Sequence, residues 1–237
     1  MCTVSYTFNG QGIYFTSSRD ENIKRLTIPP QAYKLNYQTV IYPKDSQSGG
    51  TWIAASKNRI MCLLNGEQTQ AIDHEIKTSR GIVVLKSLFC TSYDELKRFV
   101  LDHEVDPFIL IQLDFTTEIY LKEIVWNGRD ISQKRLNPND SHLWVSSSLY
   151  TKEISNKRQR QFSEWLDENP RKFPVEFHSK LKSVNDNFQK NKDIKTVSIS
   201  NIHLKNESLT FSYDDLLCGN SQSLSLVLEA EKSESPF

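Results

Sequence analysis

Residues 3–21, TVSYTFNGQGIYFTSSRDE, open the chain with two runs of strand-forming residues separated by glycines. Thr3–Phe8 and Ile13–Ser17 are rich in the β-branched and aromatic residues that favour β-strands. Asn9–Gly12 between them provides the glycines that a tight turn needs. The stretch therefore predicts a β-hairpin.

The register of this hairpin determines which residue faces Cys2. A turn centred on Gly10-Gln11 sets Cys2 opposite Arg19, whereas a turn one residue earlier sets Cys2 opposite Ser17. In both registers the charged end of the second strand, Ser17–Glu21, lies close to Cys2.

Cys2 is a candidate nucleophile because removal of the initiator Met would leave its thiol and a free α-amine on one residue. An α-amine has an ordinary pKa of about 7.7–8.0, so it can accept the thiol proton near neutral pH. We expect Asp20 to orient that amine, and Arg19 either to favour the thiolate or to bind a substrate carboxylate. The alternative interpretation is a charged strand end with an internal ion pair.

A second hairpin is predicted for Thr51–Ser56 and Arg59–Leu64, with Lys57-Asn58 at the turn. The apolar runs TWIAA and IMCLL in these strands lack strict alternation, so we expect both strands to be covered on both faces.

The register of this second hairpin sets Asn65 opposite Gly50. An Asn amide beside a glycine with an unobstructed N–H, here Asn65 and Gly66, is suited to stabilising an oxyanion. We assign these two residues to catalysis, and Gly50 and Trp52 to substrate binding. The alternative is that Asn65-Gly66 is simply a turn.

The rest of the chain contains both helix and strand patterns. Ser92 and Glu95 form a capping-box pattern, which predicts a helix that runs to His103. The order of the elements predicts an α+β fold with antiparallel sheets and helices outside them, in one domain spanning residues 1–237 with its last few residues frayed. Further strands are predicted at 107–115, 117–126 and within 195–229, and further helices at 151–167 and 174–188.

The helix predicted at 151–167 carries the basic cluster Lys157, Arg158 and Arg160. Acidic residues flank this cluster, so we interpret it as a solvated helix face rather than a ligand patch.

The composition excludes several classes of function. Lys and Arg number 29 and Asp and Glu also number 29, so the chain has no excess positive charge for a nucleic-acid backbone. No apolar run approaches the roughly 18 residues of a membrane span, and the start lacks a secretory signal, so we expect a cytoplasmic protein.

The cysteines and histidines show no metal-ligand spacing, so we expect neither a metal nor a cofactor. Cys62 and Cys90 lie in apolar runs and are expected to be buried, inert thiols. Surface or capping roles are expected for the five histidines.

Six motifs in the first part of the chain resemble the NRDE family, which is also the transport and Golgi organisation protein 2 family. The resemblance is specific over residues 1–66 and faint beyond Arg80-Gly81. The motifs, in chain order, are Met1–Ser5, Thr16–Glu21, Pro29-Pro30, Tyr42–Asp45, Gly49–Ala54 and Cys62–Gly66.

This resemblance implies the fold of the N-terminal nucleophile hydrolases, a four-layer αββα sandwich of two antiparallel sheets between helices. It also implies hydrolysis of a carbon–nitrogen amide bond in a small-molecule substrate, with Cys2 as nucleophile. The opening Met-Cys-Thr is similar to that of choloylglycine hydrolases and penicillin V acylases, which use the cysteine in this way. The alternative is a non-catalytic protein that binds or carries haem or a lipid on the same fold, and the oligomeric state stays open.

The chain departs from the family pattern at three positions. Ser18 stands where the family's name motif begins with Asn. Trp144–Ser147 stands in place of Gly-Leu-Ser-Asn, and Cys218–Ser221 in place of Tyr-Gly-Thr-Arg. If both replaced groups are oxyanion donors, each loss reduces transition-state stabilisation by about 2–4 kcal/mol, which would leave turnover slow or absent.

Overall fold

The protein folds as two antiparallel β-sheets with helices on both outer sides, which confirms the α+β prediction. A computed structural model describes residues 3–67, 78–170, 172–184 and 193–228. The described helices are α1 (Arg80–Ser87), α2 (Tyr93–Asp102), α3 (Lys152–Glu168) and α4 (Pro174–Val184). The described strands are β1 (Thr3–Asn9), β2 (Gly12–Asn22), β3 (Thr27–Leu35), β4 (Gln38–Asp45), β5 (Ile53–Ala55), β6 (Arg59–Asn65), β7 (Phe108–Asp114), β8 (Tyr120–Trp126), β9 (Ile131–Leu136), β10 (His142–Val145), β11 (Ile194–Lys205), β12 (Ser208–Asp215) and β13 (Ser221–Val227).

The two sheets use different parts of the chain. The six-stranded sheet has the order β10-β1-β2-β11-β12-β13, so the N-terminal hairpin pairs with the C-terminal strands. The seven-stranded sheet has the order β3-β4-β5-β6-β7-β8-β9 and contains only sequential neighbours. The N-terminal strand therefore lies inside a sheet, between β10 and β2.

Apolar side chains from both sheets form the central core. Val4 and Phe15 of the six-stranded sheet pack in one buried cluster with Ile53 and Cys62 of the seven-stranded sheet. Helices α1 and α2 cover the other face of the seven-stranded sheet, and α3 and α4 cover the other face of the six-stranded sheet. This arrangement is the predicted αββα sandwich.

The first hairpin adopts the first of the two predicted registers. Thr3 pairs with Ser18 and Asn9 pairs with Gly12, so the turn is centred on Gly10-Gln11. Alternate residues of β2 then point to opposite faces. Phe15 lies in the core between the sheets, whereas Ser18 contacts α4 on the helix side.

The second hairpin also has its predicted register, with Ile53 paired to Cys62 and Ala55 to Ile60. Both of its strands are covered on both faces: Ile53 lies in the core between the sheets, and Ala54 lies under helices α1 and α2. The absence of strict alternation was therefore a correct signal of a doubly covered strand.

Two of the predicted helices, α2 and α3, begin at residues whose side chains cap them. Ser92 accepts a hydrogen bond from the Glu95 N–H, while the Glu95 carboxylate accepts one from the Thr91 N–H. Thr151 caps α3 in the same way. The predicted end of the 174–188 helix lies outside the described residues. None of the described helices is long and apolar enough to cross a membrane.

Strands β3 and β4 and helix α1 have weak local signals in the sequence and were not individually predicted. Strand β3 contains Pro29-Pro30, at a register shift between Ile28 and Gln31. It is an edge strand, where a proline without an N–H costs no ladder hydrogen bond. Helix α1 has only eight residues, so the helical period is hard to recognise in its sequence.

Candidate functional site

The candidate site lies at the end of the sandwich where β1 begins. Thr3, the first described residue, pairs with Ser18 on one side and with Val145 on the other. Cys2 precedes Thr3 in the chain and lies outside the described residues. The predicted site residues Arg19 and Asp20 directly follow Ser18, and the alternation of β2 directs them to opposite faces of the sheet.

Asp20 is buried on the helix-facing side and is oriented by two hydroxyl groups. The Tyr150 hydroxyl donates to one carboxylate oxygen at 2.6 Å, and the Thr196 hydroxyl donates to the other at 2.5 Å. Two donors from distant parts of the chain therefore fix the direction of the carboxylate.

Arg158 extends this network towards the start of β1. Its Nη1 donates to the Thr3 hydroxyl at 2.6 Å, and its guanidinium lies 4.0 Å from the centre of the Tyr150 ring. Arg158 is 4% exposed, so the solvated-face interpretation is wrong for this residue. A signal was present in the sequence: Arg158 lies four residues from both Ile154 and Phe162 and therefore shares their apolar helix face.

Arg19 lies on the cavity-facing side and is held by several partners. Its Nη2 donates to Asp45 at 2.7 Å, and its Nη1 donates to the Thr27 hydroxyl at 2.8 Å. The guanidinium also lies 4.4 Å from the centre of the Trp52 ring. Arg19 is thus built into the wall of the site by hydrogen bonds and by stacking.

Asp45 links Arg19 to a second guanidinium, that of Arg25, whose Nε donates to it at 2.7 Å. Burial alone would raise the pKa of Asp45. The hydrogen bonds from Ser48 and Arg25 and the nearby positive charges outweigh burial and lower that pKa below its ordinary value. Asp45 was part of a family motif, but its role was not predicted because its two guanidinium partners are more than 19 residues away in the sequence.

A small cavity opens between the two sheets at this end, and we call it the N-terminal cavity. Its volume is about 90 Å³. Four of the predicted site residues line it, namely Arg19, Gly50, Trp52 and Asn65. Asp20 and Gly66 do not belong to its lining. The seven-stranded sheet and the six-stranded sheet therefore both contribute to the wall.

The backbone groups of Asn65 and Gly66 both form hydrogen bonds within the protein. The Asn65 carbonyl accepts a hydrogen bond from the Ser146 hydroxyl at 2.8 Å. The Gly66 N–H donates to the Pro107 carbonyl at 2.9 Å, so it is not the unobstructed donor that the sequence suggested. A Cβ on Gly66 would lie 2.8 Å from the Phe108 nitrogen, which explains the glycine by close packing against β7.

Gly50 brings a helix to the cavity. A Cβ on Gly50 would lie 2.5 Å from the carbonyl carbon of Gly81, and the Thr51 N–H donates to the Gly81 carbonyl at 3.1 Å. The two glycines let the first turn of α1 contact the segment before β5. Arg80 consequently lines the N-terminal cavity together with Gly50.

A comparison with protein families identifies the family of the chain. The family model for Transport and Golgi organisation 2 matches residues 1–215. The chain belongs to the transport and Golgi organisation 2 family. The match extends well beyond Arg80-Gly81, where the motifs recognised in the sequence became faint, and it reaches β12. No match was found among curated proteins.

Two of the positions at which we expect this transport and Golgi organisation 2 member to depart from the family pattern have identifiable contacts. Ser18, where the pattern predicts Asn, hydrogen-bonds the buried His178 at 2.7 Å. Ser147 is exposed, and its neighbour Ser146 makes the contact to Asn65. Ser221 is also exposed and donates to Asp214.

Buried His178 is a feature of this family member that the sequence did not reveal. Its two ring nitrogens lie 2.9 Å from the Ser5 hydroxyl and 2.7 Å from the Ser18 hydroxyl. Burial, assisted by the positive charge of Arg158, lowers the pKa of His178 to about 3. The expectation of a surface or capping role is therefore wrong for this histidine. It follows Phe177 on the apolar face of α4, and that position was the available signal.

The two thiols in the core of this family member, those of Cys62 and Cys90, are unsuited to nucleophilic attack. Cys62 is fully buried, and burial raises its pKa to about 12. Cys90 is also buried, with a raised pKa for the same reason. Both predictions of buried thiols are confirmed. Among the described residues, no group of three or more His, Cys, Asp and Glu side chains could hold a metal ion.

Proposed function

We propose that the protein is an N-terminal nucleophile hydrolase that cleaves a carbon–nitrogen amide bond in a small molecule, with Cys2 as nucleophile. One observation supports this proposal above the others. The start of β1 lies between a carboxylate on one face of its sheet, Asp20, and a cavity on the other face, which Arg19 and Asn65 line.

The two faces match the two groups that an N-terminal cysteine carries. We expect the β1–β2 register to continue by one step to Cys2, which would set it opposite Arg19 with its side chain on the face of Val4. We therefore expect the thiol to address the N-terminal cavity. The α-amine belongs to the backbone, so Asp20 can hold it from the helix-facing side.

The proposed reaction has two halves. The Cys2 thiol passes its proton to the α-amine and attacks the amide carbon, and the Asn65 side-chain amide donates to the oxyanion. The carbon–nitrogen bond breaks as the leaving amine takes the proton from the α-ammonium, which leaves a thioester. Water then attacks the thioester, giving its proton to the α-amine, and the carboxylic acid and the thiol are released.

The described contacts refine the roles of the other predicted residues. We assign the oxyanion to the Asn65 amide, because the Gly66 N–H already has an acceptor. Arg19 supplies positive charge beside the thiol while it remains fixed to Asp45. Gly50 and Trp52 form the substrate wall. The mechanism as proposed uses neither a metal nor a cofactor.

The proposal is tested on untagged protein. Mass spectrometry should show loss of Met1, and iodoacetamide should label Cys2 faster than it labels free cysteine, because the positive charge of Arg19 favours the thiolate and free cysteine has no such group. In a screen of acyl amides, Cys2→Ala should lose activity by about a thousandfold or more. Cys218→Ser, which removes an exposed thiol, is the matched control and should keep full activity.

A further variant separates the amine from the thiol. One residue inserted between Met1 and Cys2 keeps the thiol but converts its amine into a peptide bond, so activity should be lost as in Cys2→Ala. Retained Met1 in the native protein, or equal activity of the inserted variant, would contradict the proposed mechanism.

A second candidate function, non-catalytic binding of a small molecule such as haem or a lipid, is supported by another cavity. It has a volume of about 770 Å³, lies at the opposite end of the sandwich, and is lined in part by Phe8, Ile13, Phe115 and Leu204. Such a volume suits a drug-sized ligand. On this alternative, Cys2→Ala would complement loss of the protein in cells, whereas the hydrolase requires Cys2.

A further inference from the structure

The N-terminal cavity contains a cation that the proposed mechanism does not use. Arg80 is the first residue of α1 and lines the cavity. Its Nη1 donates to the Pro107 carbonyl at 3.2 Å, a bond that takes one of the five N–H donors of a guanidinium. Arg19 and Arg25 differ from Arg80, because both donate to Asp45.

Among the described residues that line the cavity, the guanidinium groups of Arg19, Arg25 and Arg80 outnumber the carboxylates of Glu21 and Asp45 by one. Asp106 lies outside the lining but close to Arg80. Burial lowers the pKa of Arg80, and the charge of Asp106 partly offsets this effect. Arginine nevertheless stays protonated in proteins, so Arg80 offers a positive charge to an anionic ligand in the cavity.

Two further features of the same wall favour an anion, the N-terminus of α1 and the indole N–H of Trp52. Ser79 and Gly81 at the N-terminus of α1 line the cavity, and the N-terminal end of a helix carries partial positive charge. Trp52 also lines the cavity. It is 5% exposed, and its indole N–H is buried without a hydrogen-bond partner in the described part of the chain. A buried donor without an acceptor is energetically unfavourable, so a ligand oxygen beside the indole N–H would be stabilised by it.

We propose that the N-terminal cavity is a carboxylate-binding subsite, with Arg80 as its principal cation and the Trp52 N–H as a second donor. The substrate class is then a small amide that carries a carboxylate on its acyl or its amine part. The cavity volume of about 90 Å³ corresponds to roughly three water molecules, which is enough for a carboxylate but not for a large headgroup. This inference rests on the proposed function.

Binding to Cys2→Ala protein tests the subsite without turnover. The probes are two matched pairs, N-acetylglycine with N-acetylglycinamide and succinamate with succinamide, measured by calorimetry. At least one carboxylate should bind about ten- to a hundredfold more tightly than its uncharged partner, as expected for charge-assisted hydrogen bonds. Adding Arg80→Gln should abolish this preference. Adding Arg98→Gln, which removes an exposed arginine on α2, is the matched control and should leave it intact.

Trp52→Phe is a second variant that keeps an aromatic ring for Arg19 and removes the indole N–H. It should weaken carboxylate binding about tenfold. Equal binding of acids and neutral amides, or a preference that survives Arg80→Gln, would overturn the subsite. Its failure is distinct from that of the hydrolase: hydrolysis without acid preference rejects only the subsite, and acid preference without hydrolysis by wild type rejects only the hydrolase.

Discussion

The two faces of the six-stranded sheet carry different polar chemistry at the end where β1 begins. On the helix-facing side, hydroxyl groups of Tyr150 and Thr196 orient Asp20. On the cavity-facing side, the guanidinium groups of Arg19 and Arg25 hold Asp45. Both carboxylates are buried, with exposed fractions of 3% for Asp20 and 5% for Asp45.

The two carboxylates therefore have different surroundings: that of Asp20 is held in one direction, and that of Asp45 anchors two arginine side chains. Hydroxyl groups from two distant parts of the chain fix the direction of the Asp20 carboxylate, whereas the Asp45 carboxylate joins two guanidinium groups and so links the segments around it. We therefore expect Asp20 to matter mainly for activity and Asp45 mainly for stability.

Asp45→Ala should have the largest effect on stability. It leaves the buried guanidinium of Arg19 without its closest carboxylate, and breaking one side of a buried ion pair costs about 3–5 kcal/mol. Urea unfolding of the variant should show this loss. Glu118→Ala, which removes a carboxylate from an exposed ion pair with Arg135, is the control and should change stability by less than about 1 kcal/mol. Equal losses of stability in Asp45→Ala and Glu118→Ala would contradict the anchoring role of Asp45.

Asp20→Asn should mainly impair activity. The amide keeps the shape of the side chain but cannot hold the α-ammonium as a carboxylate does, so we expect a loss in kcat/KM of about a hundredfold, or about 2.7 kcal/mol. The unfolding free energy should change less than in Asp45→Ala. An unchanged kcat/KM would show that Asp20 does not serve the amine.

Gly50→Ala tests the close approach that forms the cavity-facing side. The new methyl group would overlap the Gly81 backbone, and the strain should destabilise the protein by about 1–3 kcal/mol. Gly10→Ala is the matched control, because a Cβ there meets no atom within 4 Å. Thermal unfolding of both variants should separate them, and equal midpoints would contradict the packing argument.

The pH dependence of stability tests whether His178, on the helix-facing side, is buried in its neutral form. The pKa of His178 falls from 6.5 to about 3 on folding, so the unfolded chain binds a proton between these values that the folded chain does not. The stabilising contribution is complete above pH 6.5 and is lost as the pH falls towards 3, by up to about 1.4 kcal/mol per pH unit. Unfolding free energies measured near pH 7 and near pH 5 should therefore differ more in wild type than in His178→Gln. An identical difference in both proteins would contradict a buried neutral histidine.

The sequence by itself determined the elements that depend on neighbours along the chain. Glycines in the Asn9–Gly12 turn specified the first hairpin, and its strand pattern left two registers, of which the structure has the one with the turn at Gly10-Gln11. Ser92 specified the start of α2 because a cap acts within one turn. The apolar runs around Cys62 and Cys90 were sufficient to predict buried thiols, since burial follows hydrophobicity.

Only the tertiary structure decided which polar groups meet. The contacts of Asp20 with Tyr150, of Arg158 with Thr3 and of His178 with Ser5 each join residues at least 130 positions apart. Local propensity and periodicity contain no information about such pairs. The same reason applies to Gly66. Its N–H is predicted to be available from the sequence, but in the structure it donates to the carbonyl of Pro107, the residue before β7.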